Sequence, residues 1–283
     1  MNIQQKATYD GSVFSYSDLV EYWRCPRRFG YKAIGFKHIE VNETLIRGQL
    51  FHYGIAAYHR GEVTMPLSLQ PILNRMVDTI KDETEYVGAN KLDEVKNVLE
   101  KALSEALTML QRYLQYHAKT WMPLEVEERL YFGSAAGTPD LIALQDKQLW
   151  LVDFKTTGRD APDLRTYELS GQVDYYAYLY AAAKGRPISI VQYEVITPEN
   201  VMSHQRPPRP ERGRYMLTQV QLLALQSSTG LLNTPHFSWD CTRCPFFRPC
   251  MAREQGASDL DILLGGEYTR GESRLAWKDS DFT

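Results

Sequence analysis

Gly137-Thr138-Pro139-Asp140-Leu141-Ile142-Ala143-Leu144 and, after a polar tetrad, Leu149-Trp150-Leu151-Val152-Asp153-Phe154-Lys155-Thr156 decide the reading of this chain. The first run is apolar after Asp140, and Gln145-Asp146-Lys147-Gln148 makes a turn. The second run stays mostly apolar until Thr156-Thr157-Gly158. Two apolar runs around a short polar turn predict a β-hairpin. Side chains alternate faces along a strand, so Leu149, Leu151, Asp153 and Lys155 share one face. Asp140, on the partner strand, is expected to converge on Asp153 and Lys155.

Two carboxylates brought together repel, and burying them is costly unless a divalent cation lies between them. Mg²⁺ or Mn²⁺ on such a pair lowers the pKa of water and neutralises charge on a phosphate. An amine beside it can hold a water or stabilise developing charge. The bland alternative is a surface hairpin with an Asp153–Lys155 salt bridge. The Gly-x-x-Asp followed thirteen positions on by Asp-x-Lys, on an apolar strand, favours a site.

The chain has 283 residues, 43% hydrophobic and 24% charged, with net charge −3. This predicts one large globular domain, or a domain with an appendage. No overall basic field points to nucleic acid, although a local groove would suffice. No run is long enough for a membrane span, and MNIQQKATYDG has no apolar signal region, so a cytoplasmic protein without membrane association is expected.

The four cysteines form the second signal. Cys241, Cys244 and Cys250 make C-x2-C-x5-C, and Cys25 stands alone near the other end. In a reducing compartment such a set points to a metal rather than disulfides. Zinc and an iron–sulfur cluster both accept four thiolates, and spacing does not separate them. A shared site would clamp the chain ends together. The alternative keeps Cys25 as an ordinary buried cysteine, with His236 as another zinc ligand.

In chain order, Tyr16–Trp23 reads as a helix capped by Ser15 or Ser17, with Pro26 stopping it or opening the next. Arg24, Arg27 and Arg28, with Arg159 and Arg165 later on, are candidate phosphate contacts. Leu45–Arg60 has helical periodicity with His52 near its inward face, and Gly48 suggests close backbone approach. Leu67–Tyr86 and Leu92–Thr120 are expected to be helices of a cap. Leu124–Phe132 alternates as one strand, from which Glu127, rather than Glu125, is expected to reach a metal. Thr156–Tyr167 is a loop and Glu168–Lys184 a helix that stacks Gln172 on Tyr176. Ile188–Ile196 is expected to be a buried parallel strand. Ser203–Arg214 is read as a loop, Met216–Leu232 as a helix, and the proline-flanked cysteine segment as irregular.

These residues resemble the PD-(D/E)XK nuclease superfamily, and within it the RecB-like branch with a 4Fe–4S cluster, which includes CRISPR-associated RecB-like exonucleases and the AddB nuclease domain. The resemblance runs from Tyr16 to about Met251. It rests on GTPD140, D153-F-K155, Gln172-x-x-x-Tyr176, His52 after Arg47-Gly48, Cys25-Pro26 and the C-terminal cysteine triplet. It implies an α/β restriction-endonuclease-like core, a mixed central sheet flanked by helices, with a helical subdomain and a cysteine-cluster cap joining the chain ends. The implied domains are a helical region over 1–122, a nuclease core over 123–235, a cluster segment over 236–264 and a flexible tail over 265–283.

The resemblance further implies Mg²⁺ or Mn²⁺ on His52, Asp140, Asp153 and the Phe154 carbonyl. Lys155 would act on the water or the developing charge, and Gln172 and Tyr176 would orient the strand or the lysine. Glu127 and Arg47 would be neighbours of the site, and Cys25, Cys241, Cys244 and Cys250 would hold a structural 4Fe–4S cluster. The implied activity is that of a deoxyribonuclease, an exonuclease favouring single-stranded DNA. A metal-activated water would leave 5′-phosphate and 3′-hydroxyl ends, in repair, recombination or phage DNA processing. A helicase or integrase-like protein would be its partner. The competing expectations are a DNA-processing module acting only within a complex, as in spacer acquisition, and a structural zinc variant of the same fold.

Overall fold

The computed structural model describes residues 13–38, 42–63, 71, 74, 92–116, 121–158, 162–227, 235–265 and 268–270. The chain divides into two compact units, one made of residues 41–130 and 138–214, the other of 1–40, 131–137 and 215–283. The expected helix Leu67–Tyr86 lies outside the described residues, apart from two isolated positions, and so does Arg159.

The first elements are helices α1 (Tyr16–Arg24) and α2 (Pro26–Ala33), strand β1 (Phe36–His38), and helices α3 (Glu43–His59) and α4 (Leu92–Tyr116). Strands β2 (Met122–Val126), β3 (Leu130–Phe132), β4 (Ala135–Gly137), β5 (Leu141–Gln145) and β6 (Gln148–Thr156) follow. The chain continues through α5 (Arg165–Leu169), α6 (Gln172–Lys184), β7 (Ile190–Ile196), β8 (Val201–Arg206) and α7 (Pro210–Ser227). A 3₁₀ turn (Trp239–Arg243), α8 (Phe247–Glu254), α9 (Asp259–Leu263) and β9 (Tyr268–Arg270) close it.

The unit of residues 41–130 and 138–214 is built on a mixed sheet ordered β2-β5-β6-β7-β8. The β5–β6 hairpin turns at Asp146 and Lys147, both left-handed (φ 50° and 65°), the backbone that matches the twist of a two-residue hairpin. A helical crossover makes β7 parallel to β6, with Asp153 opposite Tyr193. Trp150, Val152 and Phe154 point into a core shared with Leu50, Phe51 and Ile55 of α3 and Leu99, Met109 and Tyr113 of α4. The alternate positions Asp153 and Lys155 therefore face the other way. This is the expected restriction-endonuclease-like α/β core, with a mixed central sheet flanked by helices.

Several boundaries differ from the sequence reading. The strand expected over Leu124–Phe132 is two strands, because Glu127 takes φ 52° and turns the chain. The helix expected over Glu168–Lys184 is α5 and α6, broken at Ser170-Gly171. The loop expected over Ser203–Arg214 holds most of β8 and the start of α7. There Ser203, His204 and Gln205 pair with the buried strand β7, whatever their polarity. The expected irregular cysteine segment contains α8, with Pro249 in the first turn, where a missing N–H costs nothing.

The other unit has its own aromatic core. Phe14 meets Phe29 edge-on at 5.5 Å, Tyr31 meets Phe246 at 5.2 Å, and Phe246 stacks on Tyr268 at 5.5 Å. Ser15 forms a capping box with Asp18 on α1. Within the tail expected to be flexible, Tyr268–Arg270 is instead a strand paired antiparallel with Phe36–His38.

Candidate active site and cysteine cavity

Asp140 comes one residue before β5, and the hairpin register puts it across from Asp153. Its Oδ2 accepts the Phe154 backbone N–H at 2.7 Å. His52 of α3 points its Nδ1 at the same oxygen, 3.6 Å away. Glu127 enters through the turn made by its positive φ. Its N–H donates to the Asp140 carbonyl at 3.1 Å, and its Oε1 lies 3.8 Å from His52 Nδ1. His52, Glu127 and Asp140 are a trio of donors whose ligand atoms all lie within 4.8 Å. Of the two candidate glutamates, Glu125 turns away, held by Tyr180 at 3.1 Å and Lys184 at 3.3 Å.

Asp153 is fully buried, and its Oδ1 has no hydrogen-bond partner. Its Oδ2 is 2.6 Å from Lys155 Nζ. Lys155 also donates to Gln172 Oε1 at 3.0 Å, and Gln172 Nε2 donates to Tyr176 Oη at 3.4 Å. Gln172 opens α6 and Tyr176 lies one turn on, so the helix stacks them behind the lysine.

The electrostatics follow from burial. Desolvation pushes Asp153 up, with Lys155 opposing, and pushes Asp140 up, with His52 and Lys155 opposing. Burial disfavours charge on His52, but Asp140 and then Glu127 outweigh it, raising its pKa to about 9. Lys155 is likewise held well above its ordinary value, mainly by Asp153 and then Asp140, against burial. Burial lifts Tyr176 to about 12, so its hydroxyl stays protonated. His52, Glu127 and Asp140 make a donor group that fits a hard divalent cation; Asp153 lies outside that group and keeps a buried oxygen without a hydrogen-bond partner.

Arg47 reaches the site indirectly. It is buried, pairs with Glu105 of α4 at 2.7 Å, and lies against Gly158 just beyond β6. Gly48 lets α3 approach Thr156, whose Oγ1 would be 3.3 Å from an added Cβ.

The four cysteines line one cavity in the other unit, with Arg27, Arg28 and His236 among their neighbours. Cys25 joins α1 to α2, Cys241 sits in the 3₁₀ turn, Cys244 follows it, and Cys250 is on α8. Burial pushes the Cys244 and Cys250 thiols up. Arg27 was read as a phosphate contact but is buried, donating to Cys250 Sγ at 3.3 Å and to Glu254 at 2.6 Å. Arg28 is ion-paired with Glu21. Arg24 and Arg165 remain exposed, near Asp240 and Asp163 respectively.

A profile of the PD-(D/E)XK nuclease superfamily matches residues 13–251. The chain belongs to that superfamily. Membership implies a metal-dependent nuclease acting on DNA, and the His52, Glu127 and Asp140 group lies where such chemistry needs donors. No curated protein sequence matches. A solved structure, "Crystal structure of SSO0001", is 17% identical over 85% of this chain and 86% of that one, with a TM-score of 0.39. Among the described residues of this PD-(D/E)XK protein, no helix is long and apolar enough to cross a membrane.

Proposed function

We propose that this PD-(D/E)XK protein is a Mg²⁺- or Mn²⁺-dependent DNA exonuclease that prefers single strands, with a structural 4Fe–4S cluster on Cys25, Cys241, Cys244 and Cys250. One observation carries the catalytic part. Lys155 Nζ is held between Asp153 and Gln172, at 2.6 and 3.0 Å, beside the orphaned oxygen of Asp153. His52, Asp140, Asp153 and the Phe154 carbonyl would hold the ion, with Glu127 as a further donor. The ion, when bound, lowers the pKa of water and neutralises phosphate charge. Lys155 would act on the water or on the negative charge that grows on the phosphate. Gln172 fixes the direction of its Nζ, and Tyr176 supports Gln172.

The preference for single strands and for ends rests on the RecB-like order of the motifs. For the cluster, the support is four thiols from distant segments in one cavity.

The test uses anaerobically purified protein with end-labelled single- and double-stranded DNA, linear and circular, in Mg²⁺, Mn²⁺ or EDTA, beside Asp153→Asn. Metal-dependent loss of linear single strands, absent from the variant, is the expected result. Equal cleavage of circles would replace the exonuclease reading with an endonuclease one. Cleavage retained by Asp153→Asn would overturn the site.

A further inference from the structure

The cysteine cavity is surrounded by aromatic side chains that nothing in the catalytic site uses. Trp239 is 92% exposed, Phe237 62%, Phe247 45% and Trp23 41%. Exposed rings gathered around one cavity, rather than scattered singly, mark an interaction surface. Phe237, Phe247 and Arg24 line the same cavity. Arg24 Nε reaches Asp240 at 3.7 Å, and the Arg24 carbonyl lies 3.2 Å from His236 Nδ1. These contacts join the end of α1, which carries Trp23, to the 235–241 segment, which carries Phe237 and Trp239. Phe237 and Phe247 thus line the cavity with Arg24, and Trp23 and Trp239 are the chain neighbours of Arg24 and Asp240 at its rim.

Arg24 is exposed and lines the cavity, and Arg243 is exposed in the same 3₁₀ turn as Trp239. The acids nearby are engaged: Glu21 by Arg28 and Lys32, and Glu254 by buried Arg27. Asp240 meets Arg24 at 3.7 Å with the two side chains 69% and 50% exposed, which makes a weak pair. Exposed aromatic rings interleaved with arginines are the elements of a stacking platform for an unpaired strand. Rings take the bases and guanidinium groups take the phosphates, with little demand on sequence.

We infer that the Trp23, Phe237, Trp239 and Phe247 surface, with Arg24 and Arg243, is a second nucleic-acid contact that binds single-stranded DNA by base stacking. The inference rests on the nuclease reading for its choice of ligand, but uses none of the residues assigned to hydrolysis.

The experiment measures binding of the full chain to a fluorescein-labelled oligo-dT in EDTA, which blocks cleavage, by anisotropy and by quenching of tryptophan emission. Phe237→Ala/Trp239→Ala is expected to weaken binding about tenfold or more, and Trp239→Phe to remove most of the quench. Arg243→Ala is expected to lower the salt slope of log K by about 0.7. Circular dichroism and bound-metal content guard against misfolding, and these exposed positions should leave both unchanged. Unchanged affinity in the double variant, or no binding by the parent, overturns the inference; the aromatic face would then belong to a protein partner. Failure here is distinct from failure of the nuclease reading. A chain that cleaves DNA but binds equally well without Phe237 and Trp239 keeps its activity and loses this surface. A chain that never cleaves, yet needs Trp239 to bind, does the reverse.

Discussion

The carboxylate of Asp140 accepts the backbone N–H of Phe154 at 2.7 Å, so the residue that precedes one strand is pinned to the middle of the Asp-Phe-Lys triplet on the next. The pin uses an oxygen that Asp140→Asn would retain, while the charge would be lost. We therefore expect Asp140→Asn to fold with unchanged or higher metal-free stability, since burial disfavours the Asp140 charge more than His52 and Lys155 support it. Mn²⁺ is expected to raise the Tm of the parent, and the variant should lose that rise. Asp140 is also the leading cause raising His52 to about 9, so that pKa should fall by at least one unit in the variant. NMR titration of the His52 ring checks this. A His52 still titrating near 9 would transfer its charge partnership to Glu127.

Lys155 and Gln172 should separate in their effects. Lys155→Ala is expected to lower cleavage at least about 100-fold, because the ammonium held beside Asp153 is lost. Gln172→Ala leaves the Asp153 contact in place and should cost about tenfold. Lys155→Ala also strips Asp153 of its nearest cation. The pKa of Asp153, already raised by burial, rises further, and a raised carboxylate loses stability as pH climbs through its folded value. The variant should thus be destabilised by about 3 kcal/mol at pH 8 and by little at pH 4. Adding Asp153→Asn should restore the loss at pH 8; denaturant melts at the two pH values decide it.

What could be read from the sequence was whatever local patterning dictates. The hairpin was legible because apolar runs around Asp146-Lys147 leave one register that buries Val152 and Phe154 while sending Asp153 and Lys155 to the opposite face. Ser15 was legible as a cap for the same local reason. Glu127 was legible as a candidate, but its left-handed backbone was not, because no residue type announces that a glutamate will turn at the end of a strand. β8 was hidden by its composition: pairing with β7 supplies what the polar sequence HQR lacks. The role of Arg27 was misread because three nearby arginines look alike until one is found against Cys250.

Beneath the site lie two buried titratable groups with opposite pH signs. Burial holds Glu194 up, to about 7, despite hydrogen bonds from Ser203 and Gln192. The folded state then holds a proton that the unfolded state has released, so stability is lost as pH rises from about 4.5 to 7. Burial holds His59 down, to about 4, stacked on Phe154 with ring centroids 6.0 Å apart. Here the unfolded state takes the proton first, and stability is lost as pH falls from about 6.5 to 4. Glu194→Gln should gain about 2–3 kcal/mol at pH 8, shrinking toward pH 4.5, with the acid limb unchanged. A pH-independent change in the denaturant midpoint would show that Glu194 is ionised in the fold throughout.

Gly213 offers a purely steric test. A Cβ there would collide with the Asp174 carbonyl and the Tyr178 Cβ across the α6–α7 contact. The carbonyl cannot swing aside, because the Asp174 side chain is held by both Arg206 amino groups, at 2.7 and 2.9 Å, and by the Arg209 N–H at 2.9 Å. Gly213→Ala should cost about 1–3 kcal/mol, as a lower denaturant midpoint at unchanged m-value. Because Gln172 opens the same α6, a small drop in cleavage rate should accompany it.

Cys25 lies some 216 positions from Cys241, so a shared cluster would close most of the chain into a loop. The entropy removed from the unfolded chain grows only with the logarithm of loop length, but a loop this long lies near the upper end of that range. Locally Cys25 is fixed from both sides, its N–H on the Glu21 carbonyl and its own carbonyl accepting from Phe29. Cys25→Ala should therefore keep α1 and α2 while losing iron and several degrees of Tm. The parent, purified without oxygen, should carry about four irons and a brown absorbance, and chelation should lower its Tm to that of the variant. Mn²⁺ binding at His52 and Asp140, in the other unit, should survive the substitution, which separates loss of the cluster from general unfolding. Full iron content in Cys25→Ala would remove this residue from the ligand set, and a colourless parent with one zinc would replace the cluster by the zinc variant of the same fold.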